Sequence, residues 1–338
     1  MKASLFLASA LAATGLAAPS MSPDMAKRQF VVTSSELSKL SYWAEQAATA
    51  YCNSNNAAGT LIACSNSACP TLVSNKAVTI ASFASSGTVT DIRGLVSVDP
   101  VKKVITVSFR GSSSVRNWIT NVVFVQSSCD DLVSGCLIHT GFYTAWSEVA
   151  TKVFAAVQSA KVTYPSYSIG ITGHSLGGAV ATVAAAYLRK AGYTADLYTF
   201  GSPRVGNEAF AAFTTNQSGE EYRVTHERDP VPRLPPIVLN YRHTSPEWWI
   251  QAAVPTTSQV KICPGYASVD CNAGTLGLKR DDHLHYFGDI ANCSAGGFNW
   301  KRAESNFAAS DVSDEELEAR LNQWVAQDVT YVNSNNLN

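Results

Sequence analysis

The stretch that most restricts how this chain can fold is residues 167–188. Residues 167–172 alternate apolar and small side chains over a strand-length run, and residues 179–188 form an alanine-rich run with the length of a buried helix. Between them stands Gly173-His174-Ser175-Leu176-Gly177-Gly178. Strand, Gly-x-Ser-x-Gly, helix is the setting of a nucleophile elbow, a tight turn that presents a serine hydroxyl. Gly173 and Gly177 lack the Cβ atoms that would crowd such a turn. The following helix would direct its positive end at an oxyanion formed beside Ser175. The motif alone is weak, because small residues cluster by chance in a chain rich in Ala, Gly and Ser. An ordinary strand-to-helix turn is the plain alternative, and both flanks favour the elbow.

The surrounding pattern supplies the fold class. A helix capped by Thr33 or Ser34 is expected to about Tyr51, then a cysteine-bearing loop over 53–76. Strands are expected at 77–83, 94–98, 104–109, 196–200 and 221–225, with a helix over 143–160. Strands alternating with helices predict an α/β fold with a mainly parallel central sheet and helices on both faces.

A serine hydroxyl is a poor nucleophile near neutral pH, so it needs a base, and the base an orienting acid. In this fold class the chain order is serine, acid, histidine. Asp229 directly follows the strand at 221–225, in a loop stiffened by Pro230, Pro232, Pro235 and Pro236. An Asp-Pro surface turn is the bland reading of that segment. For the base, His283 is favoured, in a loop entering a strand, with His243 and His285 left open. The oxyanion needs two N–H groups: that of Leu176, and one from the loop at Gly111-Ser112, which otherwise reads as a serine-rich turn. Val115, Trp118, Ile119 and Val122 recur at helical spacing beside that loop. They fit a short helical lid, and a buried amphipathic helix gives the same periodicity.

The chain ends suggest export. Residues 1–18 read as a signal peptide, and residues 19–28, ending in Lys27-Arg28, as a propeptide. A catalytic domain is expected over 29–297 and an acidic extension outside it over 298–338. No stretch is long enough to span a membrane. All eight cysteines follow the signal, so disulfides are expected, with local pairs Cys64–Cys69, Cys129–Cys136 and Cys263–Cys271 and a long-range Cys52–Cys293. No cysteine or histidine spacing suggests a metal, and Asn216 is the better of two glycosylation sequons. A net charge of -1, with charged residues at 15%, argues against nucleic acid as a partner. A monomer is expected.

Taken in order, the motifs Phe109-Arg110-Gly111-Ser112, Asn117-Trp118, His139-Thr140-Gly141-Phe142, the Ser175 elbow, Gly201-Ser202-Pro203-Arg204, Asp229 to Pro236, His243 to Trp248 and His283 to Gly288 resemble secreted fungal class 3 lipases. The likeness is to the Rhizomucor and Thermomyces type, with Fusarium-type members nearest, and covers about residues 33–293. The resemblance implies an α/β-hydrolase fold and hydrolysis of triacylglycerol at an oil–water interface, without a cofactor. It implies a triad of Ser175, Asp229 and His283, an oxyanion hole of Ser112 and Leu176, and a lid near 114–122. Three of the bridges, Cys52–Cys293, Cys64–Cys69 and Cys129–Cys136, match the family pattern. Cys263–Cys271 and the acidic tail depart from it. Feruloyl esterases share fold and triad but would carry a polar, fixed lid. Phospholipase A1 side activity is compatible with the extended tail, and a decayed, non-catalytic scaffold would be expected to lack a triad member.

Overall fold

The computed structural model describes residues 32–83, 89–112, 115–121, 123–292 and 312–337. The readings at 1–18 and 19–28, residue Cys293 and the boundary at 297–298 lie outside the described residues.

Helix α1 (Ser34–Asn53) begins at a reciprocal cap: the Thr33 hydroxyl accepts from the Glu36 N–H at 3.1 Å, and the Glu36 carboxylate accepts from the Thr33 N–H at 2.7 Å. The expected loop after it contains a short helix, α2 (Pro70–Ser74), followed by strands β1 (Val78–Ser82), β2 (Gly94–Asp99) and β3 (Val104–Phe109). Helix α3 (Val115–Asn121) comes next, then a small ladder of β4 (Gln126–Ser128) and β5 (Leu137–His139). The helix expected over 143–160 is longer, α4 (Thr140–Thr163), because His139 caps it by accepting from the Gly141 N–H at 3.1 Å. Then follow β6 (Ser168–His174), α5 (Leu176–Lys190), β7 (Ala195–Phe200), α6 (Glu208–Thr215), β8 (Glu221–His226), β9 (Glu247–Ile250), β10 (Val260–Cys263), α7 (Arg280–Leu284) and α8 (Asp314–Asn335).

The main sheet runs β1-β2-β3-β6-β7-β8-β9-β10. Ladders from β3 through β9 are parallel and the outer ones antiparallel, so the mainly parallel α/β expectation holds. Central strands are buried almost throughout, as parallel strands covered on both faces should be. Ile105, Val107, Ile169 and Ile171 pack with Val149, Val153, Val180 and Val183 of α4 and α5. On the other face Leu40, Trp43 and Ala47 of α1 meet Val104, Tyr198 and Phe200, with the Trp43 ring stacked on Tyr198 at 4.2 Å. This two-sided burial fixes the carboxyl ends of the neighbouring parallel strands β3, β6, β7 and β8 along one edge, where parallel sheets place their reactive groups.

Disulfides join Cys64 to Cys69, Cys129 to Cys136 and Cys263 to Cys271. The pairing expected between Cys52 and Cys293 falls on a residue outside the described ones.

Candidate active site

Ser175 sits between β6 and α5 with φ 58° and ψ −131°, a conformation L-residues rarely adopt. The turn is held because the Ser175 N–H donates to the Phe200 carbonyl at 2.9 Å and its carbonyl accepts from the Gly178 N–H at 2.9 Å. A Cβ at Gly177 would collide with the Phe109 carbonyl, so the elbow can press onto the end of β3 only with glycine there. Leu176 opens α5, and its N–H is among the first-turn donors that have no partner within the helix.

The Ser175 Oγ donates to His283 Nε2 at 2.9 Å, and His283 Nδ1 lies 2.9 Å from both Asp229 carboxylate oxygens. His283 therefore carries its proton on Nδ1, leaving Nε2 free to accept. It stands in the short helix α7 and not in a loop entering a strand. The His285 N–H donates back to the Asp281 carbonyl, closing a helical turn where extended chain is expected. Among the three candidate histidines, only His283 is brought to Ser175. His243 Nε2 donates to the Pro232 carbonyl at 2.7 Å, and His285 pairs with Asp289 at 2.9 Å.

Asp229 ends the turn after β8. Burial opposes its ionisation, but the neighbouring His283 charge and hydrogen bonds from His283, Tyr286 and the Val231 N–H outweigh burial and hold the carboxyl below its usual value. The Tyr286 hydroxyl donates to Oδ2 at 2.5 Å and the Val231 N–H to Oδ1 at 2.8 Å. Gly201, at φ 58°, closes the far side. A Cβ there would lie 2.7 Å from Asp229 Oδ2 and 3.1 Å from His283 Nδ1.

A second polar chain runs beneath the elbow. His174 Nε2 donates to the His283 carbonyl at 2.8 Å, which leaves its Nδ1 to accept the Tyr51 hydroxyl proton at 2.7 Å. A Cβ at Gly111 would collide with the same hydroxyl, so the loop before Ser112 runs directly against the tyrosine that holds His174. Burial, then charge on His283, pushes the His174 pKa down to about 3, and the ring stays neutral.

The expected lid residues fall on α3. Val115 and Ile119 are buried in a cluster with Val231 and Leu234, from the loop after Asp229, and with Leu317 and Leu321 of α8. The Trp118 side chain and Val122 lie outside the described residues. Ser175 is 2% exposed and His283 fully buried, so the hydroxyl is shut from solvent in this arrangement. The described part of the acidic extension is thus packed against the candidate lid. Phe124 meets Trp324 edge to face at 5.6 Å.

Sequence reasoning assigns no role to Tyr286, Tyr51, Gly201 or His174. Tyr286 stands three residues after His283, and this adjacency is the one local signal that could have found it. Among the described residues no group of His, Cys, Asp or Glu is arranged to hold a metal, and no helix is long and apolar enough to cross a membrane.

The family Lipase (class 3) matches residues 106–239, which include the elbow and Asp229. The chain is 50% identical over 309 residues to secreted mono- and diacylglycerol lipase 1 of Fusarium solani, covering 90% of each chain. It is 35% identical over 263 residues to a lipase of Rhizomucor miehei, covering 76% of this chain and 70% of that one. A crystal structure of a mono- and diacylglycerol lipase from Aspergillus oryzae superposes with a TM-score of 0.73 at 39% identity, over 78% of this chain and 99% of the other.

Proposed function

Because the chain belongs to the class 3 lipase family, a family of carboxylic ester hydrolases, we propose that Ser175, His283 and Asp229 carry out its acyl transfer from acylglycerol esters to water. The observation that carries this reading is the unbroken hydrogen-bond line from Ser175 Oγ through His283 to a buried, ionised Asp229.

In the proposed reaction His283 Nε2 takes the Ser175 proton as Oγ attacks the ester carbonyl. The oxyanion is held by Leu176 N–H at the start of α5 and by Ser112 after β3. Collapse breaks the ester bond, and the glyceride alcohol leaves with the proton from Nε2. Water then repeats the sequence on the acyl-enzyme and releases the fatty acid. Asp229 holds the Nδ1–H tautomer and stabilises the imidazolium as it forms.

The relative from Fusarium solani is named as secreted. We read this chain likewise as exported, with 1–18 as signal, 19–28 as propeptide and Asn216, exposed at the end of α6, as a glycan acceptor. Helix α3 acts as a lid that opens its apolar face at an oil–water interface, and the enzyme works as a monomer. The burial of Val115 and Ile119 among leucines and valines supports this over a feruloyl esterase, whose lid should be polar and fixed.

A long-chain alkyl phosphonate ester tests the assignment. In detergent, where the lid opens, peptide mass analysis should find the adduct on Ser175 alone, in step with loss of activity. An adduct on another serine, or none at full inactivation, contradicts it.

A further inference from the structure

The turn that carries the proposed catalytic acid starts from a strained residue. Glu227 has φ 33°, an unfavourable conformation for a side chain of its size. Its carbonyl accepts two side-chain donors, Trp249 Nε1 at 2.9 Å and Asn272 Nδ2 at 3.2 Å. Asn272 Nδ2 also donates to the Asp229 carbonyl at 3.0 Å, so one amide grips both ends of the turn. Its orientation is fixed by chemistry: the other rotamer would aim an oxygen at two carbonyl oxygens.

Asn272 is 1% exposed and is itself held from behind. Its N–H donates to Glu247 Oε1 at 3.1 Å. Glu247 is buried and anchored by the Thr225 hydroxyl at 2.5 Å and by Arg223 at 3.1 Å. The β9–β10 register sets Cys263 directly opposite Glu247, and Cys263 is bonded to Cys271, the residue before Asn272. The bridge thereby delivers the Asn272 N–H to the buried glutamate.

We propose that Asn272, seated by the Cys263–Cys271 bridge and Glu247, is a positioning residue for the catalytic acid. It fixes the Glu227–Asp229 turn so that the Asp229 carboxylate meets His283 squarely. A carbonyl released from Nδ2 lets the turn relax, and a small displacement of Asp229 weakens its hold on the imidazolium that forms during attack. The proposal rests on the triad reading above.

The test is steady-state kinetics of the full chain on p-nitrophenyl butyrate, with thermal melts alongside. Asn272→Ala is expected to lower kcat about tenfold. KM should stay within about twofold, because no substrate contact is lost. The acid limb of the kcat/KM profile should move to lower pH, since the carboxylate no longer sits squarely against the imidazolium. The paired variant Cys263→Ser/Cys271→Ser should lower kcat less, in the same direction. Added to Asn272→Ala it should cost nothing further, because both act through one contact. Unchanged kcat in folded Asn272→Ala overturns the proposal, and so do fully additive losses. If Asn272→Ala does not fold, unchanged kcat in the paired cysteine variant overturns it instead. Ser175→Ala separates the two readings. If it is inactive while Asn272→Ala keeps full kcat, only the positioning role fails; if it is active, the triad falls and the positioning role with it.

Discussion

Arg116 of α3, the proposed lid, reaches Asp314 at the start of α8, with Nε 3.0 Å from the carboxylate, and donates to the Val312 carbonyl at 2.6 Å. Helices α3 and α8 are therefore joined by an ion pair at the rim and by Leu317 and Leu321 within. The two contacts differ in weight. Asp314 is 57% exposed, so the pair contributes about 0–1 kcal/mol. Truncating a fully buried leucine costs about 2–5 kcal/mol. Leu321→Ala should therefore lower the thermal midpoint and let hydrolysis begin at tributyrin concentrations below the emulsion threshold, whereas Arg116→Ala should do little. Rate curves identical to wild type for Leu321→Ala would show that α8 does not hold the lid.

Deeper along α8, Asp328 faces Arg204 at 3.2 Å, both nearly fully buried. Arg204 also donates to the Arg233 and Pro235 carbonyls, and Asp328 accepts from the Val238 N–H. Burial, opposed by the Asp328 charge, lowers the Arg204 pKa to about 10. Asp328→Ala would strand that cation, at a cost of about 3–5 kcal/mol. Urea unfolding should show a midpoint loss larger than that of Arg116→Ala. A loss no larger would mean that α8 contributes little to the loop after Asp229.

Acid should destabilise the fold well before the carboxylates protonate. His174 is pushed down to about 3, and burial, then the charges of Arg223 and Arg204, hold His243 well below its ordinary value. Unfolded, each takes up a proton near pH 6.5. From about pH 6.5 down to about 3 the unfolded chain thus binds protons the native one refuses, and stability falls with pH. Asp229, whose carboxyl is held low, adds to the loss further down, because the stability it contributes vanishes as pH drops through its folded pKa. Thermal midpoints should decline from about pH 7 to about pH 4, with a shallower slope in His243→Gln. A flat profile for the native chain would rule this out.

What is legible in the sequence follows from how local each signal is. The Ser175 elbow can be read because strand, glycine turn and alanine helix agree within residues 167–188. Asp229 and His283 follow from chain order, but order cannot separate His283 from His243 and His285. Each of those takes a partner, Pro232 or Asp289, that no spacing announces. Strand β9 escapes reading because it is four residues long and opens on the buried charge of Glu247. The contact of α8 with α3 is equally silent: Leu317, Leu321 and Trp324 are sparse apolar positions on an acidic helix. Asn272 and Tyr51 act through backbone carbonyls and a ring nitrogen far away in the chain, which single-sequence periodicity does not encode.

Ser175 is buried, and in the proposed reaction an oil–water interface opens the way to it. The most direct measurement is initial rate against tributyrin concentration across its solubility limit, for the native chain and for Ser175→Ala. The native rate should rise steeply on entering emulsion, and Ser175→Ala should lose activity by a factor on the order of 10⁴ or more. Smooth saturation below the limit would contradict the lid-gated lipase reading, and an active alanine variant would contradict the site itself.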